Sequence, residues 1–340
     1  MTGSAQIQSI WSKTMNTGLR ILAAGSYLPE TTLTNHDIAA QLNPTVRPEW
    51  VVESLGITQR RVASPEESTS DLATRAVHAA LRNAGVSAQS IDLIILATAS
   101  PDMRAPATAC IVQSKAGLDQ AVAFDVSAVC SGFLFAMTVA ASMIEAGMAR
   151  RAIVVGADTF SDATSWERRD CVFFGDGAGA VIVERADIRN VSGRRLCCNT
   201  GLFDAQLFSD GRDRDAFSIA RDGGATFEMD GKGVFRAASR AVPDCIEAVL
   251  ARNDIAASDI DIVIPHQPSR SLLEHIANSC GIPFSRFELC MDRYANTVGA
   301  TIPITLTQAM EADRIKSGDL VLFAAAGAGF TAGAAVHRWS

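Results

Sequence analysis

The sequence repeats itself once, and no other feature limits the possible folds as strongly. Residues 80–95 match residues 249–264, an offset of 169. Two further pairs follow in the same order at nearly the same offset: residues 151–155 with 319–323, and residues 124–125 with 291–292. A single helix–turn–strand match arises easily by chance, whereas three ordered matches do not. We therefore predict two copies of one structural unit packed together, with ligand sites where the copies meet.

Each copy alternates short apolar runs with longer helical patterns. Residues 91–97 and 152–156 are examples of nearly continuous apolar runs, which are typical of strands buried on both faces. Residues 69–84 and 132–147 are examples of the helical pattern. Strands that alternate with helices indicate an α/β layered fold. The predicted divisions are a loosely ordered extension at 1–18, a first half at 19–189 and a second half at 190–340.

Composition excludes several functional classes. The 340 residues include 30 basic and 37 acidic ones, a net charge of −7, so we expect no nucleic-acid partner. There is no run of 18 apolar residues and no signal-peptide pattern, so we expect no membrane association. The eight cysteines include no Cys-x-x-Cys pair, which argues against a zinc ribbon or a thioredoxin motif. Reduced thiols in a cytoplasmic protein are the prediction.

Cys130 is the first candidate for chemistry. It stands where a strand-like run ends and an apolar helix begins. The free amides and the positive end of the helix dipole would favour its thiolate, although a helix terminus supplies at most about 2 kcal/mol and a second partner is needed. From spacing alone, a buried structural cysteine is the more common case.

Two residues of the second half are the next candidates. His266 directly follows the apolar run 260–264, and the carboxyl end of a strand is where α/β folds build their sites. Asn296 lies in the segment that the repeat pairs with the Cys130 segment, so a pseudo-twofold axis would bring the two together. A structural histidine and a turn asparagine remain the alternatives.

Two glycine-rich stretches complete the pattern, at residues 174–180 and 326–333. Each precedes strand-like sequence directly, so they are predicted to be tight turns rather than a dinucleotide fingerprint. The second could offer an amide, for example that of Ala328, to an oxyanion. No P-loop or metal-ligand cluster is present, so we expect no bound metal.

The motifs taken together resemble the β-ketoacyl-acyl-carrier-protein synthase III family of the thiolase superfamily. The resemblance runs from about Leu19 to the C-terminus. The segments that carry it are residues 25–30, 49–52, 56–57, 124–133, 174–179, 265–267, 296–297 and 327–331. It implies a duplicated five-layer α/β/α/β/α fold, in agreement with the repeat.

The resemblance also implies a mechanism. Cys130 would take an acyl group from acyl-CoA, and malonyl-acyl-carrier protein would then lose carbon dioxide. His266 and Asn296 would donate hydrogen bonds to the malonyl thioester oxygen, and the amides of Cys130 and Ala328 would hold the oxyanion of the acyl-enzyme. No cofactor is expected, because decarboxylation drives formation of the carbon–carbon bond.

Several positions match contacts that the family makes with coenzyme A, pantetheine or the carrier protein. Trp50 is similar to the residue that stacks on the adenine, with Arg168 in the loop on its other side. The remaining contacts implied by the resemblance are Lys232, Arg236, Gln267, Ser269 and Arg270. Ser54 replaces an Arg of the family pattern, which weakens the adenine clamp, and Ser269 replaces an Asn that contacts pantetheine. Asn278 and Ser279 stand where the family often has lysines for carrier docking, so we expect carrier recognition to differ from that of a typical member.

Two alanines stand where the family usually has a bulky Phe near the acyl pocket. Ala105 would face the pocket across the interface of a homodimer, and Ala326 would lie beside Cys130. Both changes remove volume. We therefore expect a pocket for acyl groups longer or more branched than acetyl, in an enzyme of fatty-acid initiation or of a specialised pathway.

Two other functions stay open from the sequence. The acyl group on Cys130 could pass to an alcohol or an amine without condensation, as the altered docking residues suggest. Alternatively, the chain could be a non-catalytic acyl-binding partner, which the presence of Cys130, His266 and Asn296 argues against.

Overall fold

A computed structural model of the chain describes residues 17–186, 196, 199–220 and 226–340. The strands are β1 Thr17–Tyr27, β2 Thr31–Thr34, β3 Gln59–Val62, β4 Leu93–Ala97, β5 Val122–Val126, β6 Arg151–Asp158, β7 Gly177–Arg185, β8 Leu202–Ser209, β9 Phe217–Ile219, β10 Phe227–Met229, β11 Ile262–Pro265, β12 Leu320–Gly327 and β13 Thr331–Arg338. The helices are α1 Asn35–Asp37, α2 Pro48–Leu55, α3 Thr69–Ala84, α4 Thr108–Lys115, α5 Gly132–Glu145, α6 Gly231–Arg252, α7 Arg270–Cys280, α8 Met291–Tyr294 and α9 Thr301–Glu311.

Within the described residues, nine strands form a mixed sheet in the order β11-β12-β13-β8-β1-β7-β6-β4-β5. The sheet has two parts, one from each half, and only two residue pairs join them, where Thr17 and Gly18 meet Phe203 and Leu202. The last two residues of the predicted extension therefore belong to β1. The predicted boundary at 189/190, and residues 1–16, lie outside the described residues.

The helices form three layers around the two parts of the sheet. Helices α3 and α4 cover the outer face of the first part, and α6 and α7 cover the outer face of the second. Helices α5 and α9 lie between the two parts and contact strands of both. A helix enclosed in this way must be apolar on nearly all sides, which explains why α5 consists mostly of hydrophobic residues. The five-layer α/β/α/β/α fold predicted from the sequence is confirmed.

The repeat is visible in the positions of the elements. The starts of β4 and β11, of α5 and α9, and of β6 and β12 are each 169 residues apart. Two of the three sequence pairs were out of register. Residues 151–155 correspond to 320–324 rather than to 319–323. Ile94 pairs with Ala123, whereas its counterpart Val263 bridges Phe287, so β5 corresponds to the region around Phe287. In the described residues of the second half, the counterpart of β5 is only the bridge between Val263 and Phe287. Residues 291–292 lie after it and begin the short helix α8.

Local sequence signals explain where the elements that position the site begin and end. Ser68 and Asp71 form a reciprocal capping box at the start of α3, and Gly85 ends the helix in the left-handed conformation. Ser269 caps α7, which ends at Gly281 in the same way.

Candidate active site

Cys130 lies in a tight turn, Val129–Ser131, between β5 and α5. Val129 has a φ of 46°, an unfavourable value for a β-branched residue, so surrounding contacts must hold the turn. The Ser131 hydroxyl is 2.9 Å from Ala128 O and 2.8 Å from the Thr331 hydroxyl of the second half. Gly327 packs so closely that a Cβ there would lie 2.5 Å from Ala128 O. The second half therefore supports the turn that carries the thiol.

The thiol of Cys130 is partly open to a cavity but is otherwise surrounded by protein. Burial, followed by the nearby Asp158 carboxylate, raises its pKa to about 12, while the Asn296 side chain and its own amide act in the opposite direction. The expectation that the helix terminus would favour the thiolate is therefore wrong for the resting site. The desolvation of the sulfur exceeds what a helix terminus supplies.

His266 follows β11 and donates its backbone N–H to Ala324 O at 2.8 Å. Its side chain is 4% exposed, and burial lowers its pKa to about 3, so the imidazole is neutral near pH 7. Nδ1 is buried without a hydrogen-bond partner among the described residues. A buried N–H without an acceptor is costly, so we assign the proton to Nε2. His266 is thus a neutral donor.

The orientation of Asn296 follows from its hydrogen bonds. Its Oδ1 accepts from Val298 N at 2.8 Å, which leaves the Nδ2 donors for Cys130 and the cavity. Its backbone N–H donates to Phe173 O at 3.0 Å, and its backbone O accepts from Gly175 N at 3.1 Å. The glycine-rich stretch after Phe173 therefore holds Asn296 in place.

Asp158 is a buried neighbour of Cys130 that was not predicted from the sequence. It ends β6, is fully buried, and its Oδ2 accepts from Gly299 N at 2.9 Å in the turn that follows Asn296. Its Oδ1 accepts from Ala99 N at 2.7 Å and from the hydroxyls of Thr98 and Ser100. Burial raises its pKa to about 7. An acid at the carboxyl end of a buried strand was the signal that could have revealed it.

One cavity of about 290 Å³ brings Cys130, His266 and Asn296 together, with Ala326 and Ala328 also in its wall. Large apolar side chains form much of its wall: Val129, Phe173, Phe174, Phe217, Met229 and Phe330. The first and second halves both contribute to this wall, as the repeat predicted. The cavity is therefore suited to an apolar group carried on the sulfur.

The rim of the cavity holds only some of the predicted coenzyme contacts. Trp50 lines the rim and is 37% exposed. The guanidinium of Arg169, rather than Arg168, lies over its ring, 5.8 Å from the centroid. Arg168 is instead bonded to Asp170 and Glu228, each at 2.7 Å. The predicted role of Arg168, on the side of a bound adenine opposite to Trp50, stays a prediction.

The predicted carrier contacts lie around the same rim. Lys232 and Arg236 are exposed on the first turns of α6, whose Gly231, Val234 and Phe235 line the cavity. Ser269 lines the cavity while it caps α7. Arg270 is exposed and paired with Glu274 at 2.9 Å.

The position of Gln267 contradicts its predicted contact with pantetheine or the carrier protein. It is completely buried, lies outside the cavity wall, and uses both amide hydrogens and its oxygen on internal partners. It has no group left for pantetheine. The position matched the family pattern, but the side chain points into the protein.

The two predicted acyl-pocket alanines differ in position. Ala326 lines the cavity, whereas Ala105 is exposed on the surface of the single chain. The predicted role of Ala105 depends on a second copy and stays a prediction.

Among the described residues, no group of three His, Cys, Asp or Glu side chains is arranged to hold a metal ion. Within the same residues, no helix has the length and apolar character needed to cross a bilayer.

Comparisons with known proteins agree with this geometry. Residues 124–201 match the family described as 3-oxoacyl-[acyl-carrier-protein (ACP)] synthase III, and residues 250–339 match its C-terminal family. The chain is 44% identical to the β-ketoacyl-[acyl-carrier-protein] synthase III of Paramagnetospirillum magneticum, over 94% of this chain and 98% of that protein. It is 42% identical to the protein of the same name from Rhodospirillum centenum, with the same coverage. The crystal structure of 3-oxoacyl-[acyl-carrier-protein] synthase III from Aquifex aeolicus is 36% identical and superposes with a TM-score of 0.87, covering 95% of this chain and 100% of that one.

Proposed function

The chain belongs to the 3-oxoacyl-[acyl-carrier-protein] synthase III family, and on that premise we propose which residues perform each half of its reaction. It is an acyl-transferring condensing enzyme. The observation that carries the proposal is the single cavity in which Cys130, His266 and Asn296 meet.

The first half-reaction is acylation of Cys130 by acyl-CoA. The sulfur attacks the thioester carbonyl, and the amides of Cys130 and Ala328 stabilise the oxyanion. The thiol proton passes to the departing coenzyme A thiolate, so the products are acyl-Cys130 and free coenzyme A. Because the resting thiol is protonated, its deprotonation belongs to this step rather than preceding it.

The second half-reaction is a decarboxylative condensation with malonyl-acyl-carrier protein. The carboxylate leaves as carbon dioxide, and its bonding electrons form an enolate whose oxygen accepts hydrogen bonds from His266 Nε2 and Asn296 Nδ2. The carbanion attacks acyl-Cys130, and the Cys130 thiolate leaves and takes a proton from water. The products are 3-oxoacyl-acyl-carrier protein, carbon dioxide and the free Cys130 thiol. A neutral imidazole suits this role, because an imidazolium would compete to protonate the carbanion.

No cofactor takes part in the proposed sequence, because loss of carbon dioxide generates the nucleophile. The acyl group would lie against Val129, Phe217 and Met229, and the small Ala326 leaves space beside the sulfur. These apolar walls support acyl groups longer or more branched than acetyl.

We also propose that the enzyme is a homodimer. β5 forms one end of the sheet, and Val122 on it is 60% exposed, so its backbone is open to pairing with another chain. Ala105 is exposed on the loop before α4, which packs on β5, and a second copy could bring it to the acyl pocket.

For the carrier protein, we propose docking beside the cavity rim. Lys232 and Arg236 are exposed there, and Arg270 lies on the neighbouring helix α7. A local basic patch of this kind suits an acidic partner even though the whole chain is acidic.

Two measurements test the proposed function. Incubation with acyl-CoA substrates of two to ten carbons should add the acyl mass to Cys130, located by peptide mass spectrometry, and malonyl-acyl-carrier protein should then release carbon dioxide. Cys110→Ser is the matched control, because Cys110 is partly exposed but lies outside the cavity. Acylation without carbon dioxide release would favour transfer to an alcohol or amine, and an unmodified Cys130 would favour a non-catalytic acyl-binding role.

A further inference from the structure

We propose that Gln267 is a positioning residue that sets the distance between His266 and Asn296, and that it serves the condensation but not the acylation. The inference rests on the proposed function. It concerns a side chain that touches neither substrate nor sulfur.

Gln267 directly follows His266 and is completely buried. Its Oε1 accepts from Cys290 N at 2.9 Å and from Met291 N at 3.0 Å. Its Nε2 donates to Thr305 Oγ1 at 2.9 Å and to Glu288 O at 3.2 Å. These four bonds use the full hydrogen-bonding capacity of a glutamine side chain.

The orientation of the amide is unambiguous. Backbone N–H groups only donate, so the group that faces Cys290 and Met291 must be the carbonyl oxygen. On the other side, Thr305 gives its own hydroxyl hydrogen to Thr301 O at 2.8 Å and therefore accepts from Gln267. Neither a carboxylate nor a reversed amide would satisfy both sides.

The partners of Gln267 lie on both sides of Asn296 along the chain. Cys290 and Met291 begin the segment that runs through α8 to Asn296, and Thr305 is in α9, which starts after the turn Val298–Ala300. One side chain thus links the His266 loop to the segments before and after Asn296. A fixed link matters because both donors must reach the same enolate oxygen, and a misplacement of 1 Å costs about 10²-fold in rate.

Acylation has no such requirement. The four partners of Gln267 belong to residues 288–305 of the second half, whereas the Cys130 turn is held through Ser131, Thr331 and Gly327. Loss of the Gln267 link should therefore separate the two half-reactions.

The test is Gln267→Met, which keeps the length of the side chain and removes its four hydrogen bonds. We expect condensation, measured as carbon dioxide release from malonyl-acyl-carrier protein, to slow about 10- to 100-fold. Single-turnover acylation of Cys130, measured by protein mass, should stay within about threefold of the original. Gln113→Met is the matched control, because Gln113 bonds the backbone of Ala121 far from the cavity, and both half-reactions should be unchanged.

Equal losses in both half-reactions, or no loss in condensation, would overturn the inference. If Gln267→Met does not fold, as judged by circular dichroism, Thr305→Val decides, because it removes only one of the four bonds. It should slow condensation several-fold and leave acylation unchanged; any other pattern contradicts the proposal. Failure of the unaltered chain to acylate Cys130 or to release carbon dioxide would instead refute the proposed function.

Discussion

Two turns of this molecule are copies of one another, yet only one carries the cysteine that we propose as the nucleophile. Val129–Ser131 and Val298–Ala300 are 169 residues apart, both begin with a valine at positive φ (46° and 51°), and each leads into a middle-layer helix. The first presents Cys130, and the second has Gly299 at the same position. The same backbone therefore supports different tasks in the two halves.

The other site residues show the same asymmetry. At the 169-residue offset, His266 corresponds to Ala97 and Asn296 corresponds to Ser127. The first half supplies the thiol and the second half supplies the donors, while the counterpart positions carry small residues. The repeat provides two equivalent sets of strand ends at one interface, and in the proposed mechanism their side chains divide the two half-reactions between them.

The largest effect is expected at the nucleophile. Cys130→Ala should abolish the acyl adduct and reduce condensation by more than about 10⁴-fold, because no second cysteine lines the cavity among the described residues. Malonyl-acyl-carrier protein should still lose carbon dioxide slowly, since His266 and Asn296 remain. Formation of 3-oxoacyl product by this variant would show that the thiol is not the acyl carrier.

Removal of the Asn296 hydrogen-bond donor, which lies in the second half, should affect condensation rather than acylation. Asn296→Ala should slow condensation about 10²- to 10³-fold, the usual cost of one oxyanion donor. Acylation of Cys130, followed by mass, should continue at a similar rate. A parallel loss of acylation would mean that the division between the halves is wrong.

The pH dependence of Cys130 alkylation shows whether burial or the helix dipole has the larger effect on the pKa of the thiol. With its pKa raised to about 12, the thiol is protonated throughout pH 7–9, and the thiolate fraction grows about tenfold for each pH unit. Alkylation of Cys130 by iodoacetamide should therefore rise about 10²-fold across this range without levelling off. A plateau below pH 8 would indicate that the helix terminus dominates over desolvation.

The smallest effect tests why the second turn carries glycine. A Cβ at Gly299 would lie 3.1 Å from Asp158 Oδ2 and 3.3 Å from Ala97 O, so Gly299→Ala should reduce the free energy of unfolding by about 1–3 kcal/mol. Gly211→Ala is the control, because a Cβ there meets nothing within 4 Å. Denaturant unfolding measures both variants, and equal stabilities would show that the turn could have accepted a side chain.

Much of the fold could be predicted because its signals are local. The predicted range 69–84 coincides with α3, and 132–147 overlaps α5 except for two residues, since capping residues and left-handed glycines act within a few positions. Cys130, His266 and Asn296 were found from strand ends, the repeat and the family motifs. All three line one cavity.

The errors came from interactions between residues distant in sequence. The sequence could not show that Gln267 points inward to the segment 288–305, or that Arg168 pairs with Glu228. It also could not show that Asp158 lies near Cys130, because 28 residues separate them and only the packing of the turns brings them together.

The sequence by itself determined the duplicated α/β architecture, the family and the residue types available for chemistry, because periodicity, caps and motif spacing are properties of the chain. Only the tertiary structure decided the protonation of those residues and the direction of their side chains. Desolvation raises the pKa of Cys130 and lowers that of His266. Backbone hydrogen bonds to Phe173 and Gly175 of the first half hold the Asn296 backbone in place. These effects depend on which groups are neighbours in space, and that is fixed only when the two halves pack together.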